Sequence, residues 1–157
     1  MEKIIFSLLT IIGLLIFILI DVLACSCSLP IPKLSLKKQV IKAQKNADVV
    51  ISGKVLEITK QPENFYVSVR LQLENSWKGN SSKEITIFTG LGNGDCGYPF
   101  EVGESYLIYA NSSDENKNKL VTNICRRTTN LSDATEDLKI LGKGKSFRNN
   151  DSTKLGN

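Results

Sequence analysis

The sequence contains no histidine, one methionine and one tryptophan, and only 7% of its 157 residues are aromatic. The missing histidine is the most restrictive of these. It excludes a His-dependent catalytic triad, a zinc held by the chain's own imidazoles and an imidazole pH switch. No carboxylate pair or nucleophile motif stands out in its place, so an enzyme is the least expected class. A strong excess of one charge is also missing. With 20 Lys and Arg against 16 Asp and Glu the chain carries a net +4, too mild for a nucleic-acid-binding surface.

Long apolar runs are confined to the start. After Met1–Lys3, residues 4–20 are apolar except for Ser7, Thr10 and Gly13, which reads as a secretory signal peptide. The triplet Val22-Leu23-Ala24 places the cleavage after Ala24, making Cys25 the first residue of a secreted protein. The run is intermediate in length between a signal core and a membrane span, so an uncleaved anchor is the alternative. The stretch "VLAC" also loosely matches a lipobox, which would make Cys25 a lipid-bearing residue of a membrane-anchored lipoprotein. Leu23 is an imperfect residue for that motif. Residues 25–142 suffice for one domain with a core of its own. All four cysteines, Cys25, Cys27, Cys96 and Cys125, lie in this exported part. Their even number in an oxidising compartment predicts two disulfides, with the pairing left open by spacing alone.

The apolar periodicity changes along the domain. Leu36, Val40, Ala43 and Ala47 predict a helix over 34–46, with Lys37, Lys38, Lys42 and Lys45 on its solvated face. "ADVVISGKVLEI" (47–58) is β-rich, and Gly53 within it marks a bulge or barrel corner. "FYVSVRLQLENSW" (65–77) alternates strictly, with Phe65, Val67, Val69, Leu71 and Leu73 on one face. Trp77 is placed in the core or at a barrel end. "EITIFTG" (84–90), "SYLIYAN" (105–111) and "KLVTNIC" (119–125) complete five candidate strands. A second helix is predicted over 132–141, with Ala134, Leu138 and Leu141 on one side and Gly142 ending it. Residues 143–157 have little to bury and read as a disordered tail. Five short strands with two flanking helices predict an all-β, five-stranded OB-fold barrel. The sequons at Asn80, Asn111, Asn130 and Asn150 carry no weight by themselves, since an Asn- and Ser-rich chain produces them by chance.

Together, "CSCSLP", "ADVVISGKVLEI", "SWKG", "GDCGYPFEVGESYLIYA" and "TNIC", in this order around four cysteines, resemble the tissue inhibitors of metalloproteinases, in their N-terminal netrin-like domain. The resemblance covers most of residues 25–141. It departs from the family at Lys45 and Asn46, where animal members begin a third disulfide, and the family's C-terminal disulfide-rich domain has no counterpart here. The resemblance implies bridges Cys25–Cys96 and Cys27–Cys125. It also implies that the α-amine and carbonyl of Cys25 chelate the zinc of a target protease, with Ser26 entering the main specificity pocket. Cys27, Ser28, Leu29, Pro30, Asp95, Gly97 and Tyr98 would supply the surrounding contacts. An α-amine ordinarily titrates at about 8, so its neutral, ligating form is accessible at physiological pH.

The expected partner is therefore a secreted or membrane zinc metalloprotease, bound by a monomer that brings no cofactor and leaves zinc to its target. Nucleic acid is not an expected partner. The competing reading is a non-inhibitory netrin-like adhesion or binding module, in which the bridges only staple a small domain.

Overall fold

The computed structural model describes residues 25–27, 34–61, 63, 65–79, 82–92 and 94–147. Residues 1–24, where a signal peptide is expected, residues 28–33 and residues 148–157 lie outside them. Among the described residues no helix is long and apolar enough to cross a membrane.

Helix α1 spans Leu36–Asn46, with Val40 buried, Ala43 half-buried and the four lysines turned outward or to its flanks. Its C-terminal carbonyls are collected by one ammonium: Lys78 Nζ donates to Gln44 O at 3.2 Å, Lys45 O at 2.9 Å and Ala47 O at 2.5 Å. A cation there also meets the negative end of the helix dipole. Strand β1 follows at Val49–Gln61, then β2 at Tyr66–Lys78, β3 at Glu84–Thr89 and β4 at Ser105–Ser112. The pieces β5 (Leu120–Val121), β6 (Thr129–Asn130) and β7 (Lys145–Ser146) are two residues each, and helix α2 occupies Thr135–Leu141 after a 3-10 turn at Leu131–Asp133.

Five strands form a ring. β1 pairs with β2, β2 with β3, β3 with β5, β5 with β4, and β4 returns to β1. The β3–β5 contact is parallel and the others are antiparallel. At Gly53 the β1–β2 register shifts, as a bulge does, and a Cβ there would stand 2.7 Å from Gln72 O. The close strand approach is what requires glycine.

The pleat sorts side chains into two cores. From β1 and β4, Val49, Ile51, Tyr106, Ile108 and Ala110 point into the ring to meet Val67, Val69, Leu71, Leu73 and Ile87. The alternate residues Val50, Leu107 and Tyr109 point outward and are covered by Ala43, Ala47, Ala134, Leu138 and Leu141 of the helical layer. The first five residues of β1 and the middle of β4 are buried on both faces for this reason, whereas β2 alternates because only its inner face is covered. Trp77 packs into the helical layer, and its indole N–H donates to Gly142 O at 2.7 Å.

Several expectations change. Phe65 does not join the inward face of β2. It precedes the strand in a turn with φ 54° and is 78% exposed. The strand expected over 119–125 shrinks to Leu120–Val121, because Thr122 turns its hydroxyl to Tyr109 O at 2.9 Å and Cys125 is drawn into a bridge. The expected disordered tail over 143–157 does not hold for its first residues, and 148–157 lie outside the described residues. Ser146 and Lys145 pair with Asn75 and Ser76 of β2, and Phe147 packs against the inner core while its N–H donates to Glu74 O at 2.9 Å. One aromatic side chain and a short free stretch of β2 edge suffice to order this segment.

Candidate functional site

Both disulfides attach the same three residues to the ring. Cys25 bridges Cys96 and Cys27 bridges Cys125, each with Cα atoms 5.1 Å apart. The linked positions are 71 and 98 residues apart in sequence. In a chain-entropy account, a cross-link of that span constrains the unfolded chain by about 4–5 kcal/mol. Cys25 and Cys27 are half-buried while Ser26, between them, is exposed. This three-residue segment is thus fixed with its middle side chain exposed.

The anchor for Cys96 is a loop organised by one carboxylate. Asp95 accepts from Leu91 N–H at 2.6 Å, Gly92 N–H at 2.8 Å and Gly97 N–H at 3.0 Å. Partial burial pushes its carboxyl up, but the N–H donors of Gly92, Gly97 and Leu91 together outweigh that and hold it below the usual aspartate range. The wrap is tight: a Cβ on Gly97 would lie 2.3 Å from Gly90 O, and Cys96 adopts φ 64°, in the left-handed region. The Cys125 side is tied to this loop by the Ile124 N–H, which donates to Cys96 O at 3.0 Å, and Cys125 N–H donates to Asn123 Oδ1 at 3.1 Å. The backbones carrying Cys96 and Cys125 are therefore joined independently of the bridges.

The two bridges touch. Cys125 Sγ lies 4.0 Å from Cys25 Sγ and 3.9 Å from Cys96 Sγ, and the sulfurs of Cys25, Cys27 and Cys125 all fall within 4.8 Å of one another. As disulfide sulfurs they offer no thiolate to a metal.

The predicted contact residues come to the same region but not with equal access. Ser26 and Asp95 are exposed, although the Asp95 carboxylate is engaged by the loop's own N–H groups. Gly97 is buried. The Tyr98 ring packs against Phe100 at 4.7 Å and edge-on to Tyr106 at 5.8 Å, so much of it belongs to the end of the core. Burial, then its neighbours Tyr106 and Asp133, pushes its hydroxyl above the usual tyrosine range. Ser28, Leu29 and Pro30 lie outside the described residues. Beside the loop runs a groove of about 460 Å³, lined by Ile58, Lys60, Val67, Leu91, Phe100 and Ile124 among others. Ile124 is 45% exposed at its edge. Sequence reasoning missed this groove because its walls come from four separate segments. The only local signal was an isoleucine next to Cys125.

It also missed a buried ionic cluster just beyond that cysteine. Arg127 grips Asp137 with Nε at 2.9 Å and Nη2 at 2.6 Å, Tyr109 Oη donates to the same carboxylate at 3.2 Å, and Arg127 Nη1 reaches Gln39 Oε1 at 3.3 Å. Burial, then the adjacent Asp137 charge, pushes the Tyr109 hydroxyl far above its ordinary value. Asp137 lies on the apolar side of α2 with Ala134, Leu138 and Leu141, and an acid at that position signals a buried partner. Two sequons are also occupied by structure: Asn111 Nδ2 donates to Asn46 O at 2.8 Å, and Asn130 Oδ1 accepts from Ser132 N–H at 3.0 Å.

Compared with protein-family models and with curated proteins, the chain matches none.

Proposed function

We propose that this protein is a secreted inhibitor of zinc metalloendopeptidases, built on an OB-type ring and acting through the backbone of Cys25. The observation that carries the reading is the double tether: both disulfides hold one three-residue segment, with Ser26 exposed between them. The ring order, with its parallel β3–β5 closure, supports the OB-type assignment.

With residues 1–24 removed, Cys25 carries a free α-amine. Its neutral nitrogen and its carbonyl oxygen can close a five-membered chelate on a protease zinc, in the position that such sites leave to water or substrate. The side chain of Ser26 then points into the adjoining specificity pocket. The bridges supply preorganisation, since a segment already fixed loses less freedom on binding. Lipidation of Cys25 would take the sulfur that Cys96 requires, and a carboxylate or imidazole of the inhibitor has no part in the scheme.

The test is residual activity of several secreted zinc metalloproteases with three forms of the protein. The form beginning at Cys25 inhibits. One extra alanine before Cys25 abolishes inhibition, by about 100-fold or more, because the amine becomes an amide without a ligating lone pair and adds bulk at the metal. Ser26→Gly retains inhibition with a milder loss. Equal inhibition by the extended and unextended forms would reduce the terminus to a staple, and the apolar groove edged by Ile124 would then favour the binding-module reading.

A further inference from the structure

The contact between the two bridges has its own chemistry, independent of any protease. Cys125 Sγ is bonded to neither Cys25 nor Cys96, yet it stands 4.0 and 3.9 Å from their sulfurs. In a tetrahedral zinc site with four thiolates, Zn–S bonds near 2.3 Å set the sulfur–sulfur edge at about 3.8 Å. Two of the four non-bonded sulfur pairs, Cys25–Cys125 and Cys96–Cys125, already have about that spacing. The two bonded pairs have to separate, by about 2 Å each, and Cys96 has to join the cluster that Cys25, Cys27 and Cys125 already form within 4.8 Å.

We propose that the reduced form of this chain holds one Zn²⁺ between Cys25, Cys27, Cys96 and Cys125, so that a metal replaces the two disulfides in tying the segment to the ring. Two of the four ligands are placed without any bridge. Cys96 sits on the loop cinched by Asp95, and the Ile124 N–H bond to Cys96 O keeps Cys125 beside it. The other two arrive together on the Cys-Ser-Cys segment, which presents both sulfurs to the same pair. All-sulfur donors select Zn²⁺ or a related soft ion over Mg²⁺ and Ca²⁺.

The reduction is balanced. Each disulfide takes two electrons and two protons from a phosphine and a water molecule, giving two thiols and a phosphine oxide. Zinc then displaces the thiol protons, so binding releases protons and weakens as the pH falls.

The experiment reduces the disulfide-bonded protein with a water-soluble phosphine under anaerobic conditions and titrates it with Co²⁺, then Zn²⁺. The expected result is one Co²⁺ per chain, with the intense visible bands of a tetrahedral ion and sulfur-to-cobalt charge transfer sized for four thiolates. Zn²⁺ bleaches both in equimolar amount. Cys27→Ser should lower the charge-transfer intensity by about a quarter and weaken binding by about tenfold or more. If the reduced chain unfolds, circular dichroism must show zinc restoring the β spectrum. The proposal fails if cobalt gives only the weak bands of an octahedral ion, if fewer than four sulfurs bind, or if metal binds without restoring an unfolded chain. Refolding in air before titration should abolish binding, and persistence of the cobalt bands would also overturn it. None of these outcomes depends on inhibition of a protease.

Discussion

The sulfur-tied segment and the helical layer face the same difficulty and answer it differently. Each must attach chain that forms no long ladder of its own to the ring. The helices do so by apolar burial, setting Ala43, Ala134, Leu138 and Leu141 over Val50, Leu107 and Tyr109, and by enclosing the Arg127–Asp137 pair. The Cys25–Cys27 segment brings almost no apolar surface and is attached covalently. Burial consumes the face it uses. A covalent tether leaves side chains such as Ser26 free to meet something else.

The sharpest way to break this contrast is to attack the helical layer. Asp137→Ala leaves the half-buried Arg127 without its carboxylate, and removing one partner of a buried pair costs about 3–5 kcal/mol. Denaturant unfolding should show that loss, and inhibition by the surviving folded fraction should be unchanged. A drop in inhibition per folded molecule would mean that the two regions are coupled. Replacing both Cys27 and Cys125 by alanine should lower stability somewhat less, by about 2–4 kcal/mol, because with Cys25–Cys96 intact the second bridge closes a loop of only about 30 residues, and here inhibition should fall more than stability explains. Both quantities are read from the same preparation.

Smaller effects refine the picture. A chain ending after Phe147 should melt like the full-length protein, whereas one ending after Gly142 should lose about 1 kcal/mol, because the β7 pairing and the half-buried Phe147 ring go with it. The smallest effect concerns Asp95. Its carboxyl titrates below the ordinary range when folded. Its contribution to stability is therefore complete above the unfolded value near 3.9 and is lost as the pH falls through the folded one. The melting-temperature gap between the native protein and Asp95→Asn should be open at neutral pH and narrow as the pH falls below the ordinary aspartate range. A gap unchanged across that range would show that the carboxylate does not organise the loop.

How much of this was legible in the sequence followed from periodicity. The alternation of Val67, Val69, Leu71 and Leu73 placed β2, and Val40 with Ala43 placed α1, because one covered face imposes a repeat. β6 and β7 have two residues each, too few to carry a period, and they exist because a free strand edge lay nearby. Phe65 continued the alternation on paper but fell into the turn that starts the strand. At the candidate site the cysteine pairing followed from resemblance and agrees with the structure, while the limited access of Gly97 and Tyr98 depends on how the loop wraps and was not readable from their spacing.

The order of the bridges along the chain also decides what a cut can do. A single peptide bond broken between residues 28 and 95 leaves two pieces joined by both disulfides, and one broken between 97 and 124 leaves them joined by the Cys27–Cys125 bridge. The Cys25–Cys27 segment stays covalently bound to both pieces in either case. Under the proposed inhibition of a protease, a nick in any of those stretches is not a release.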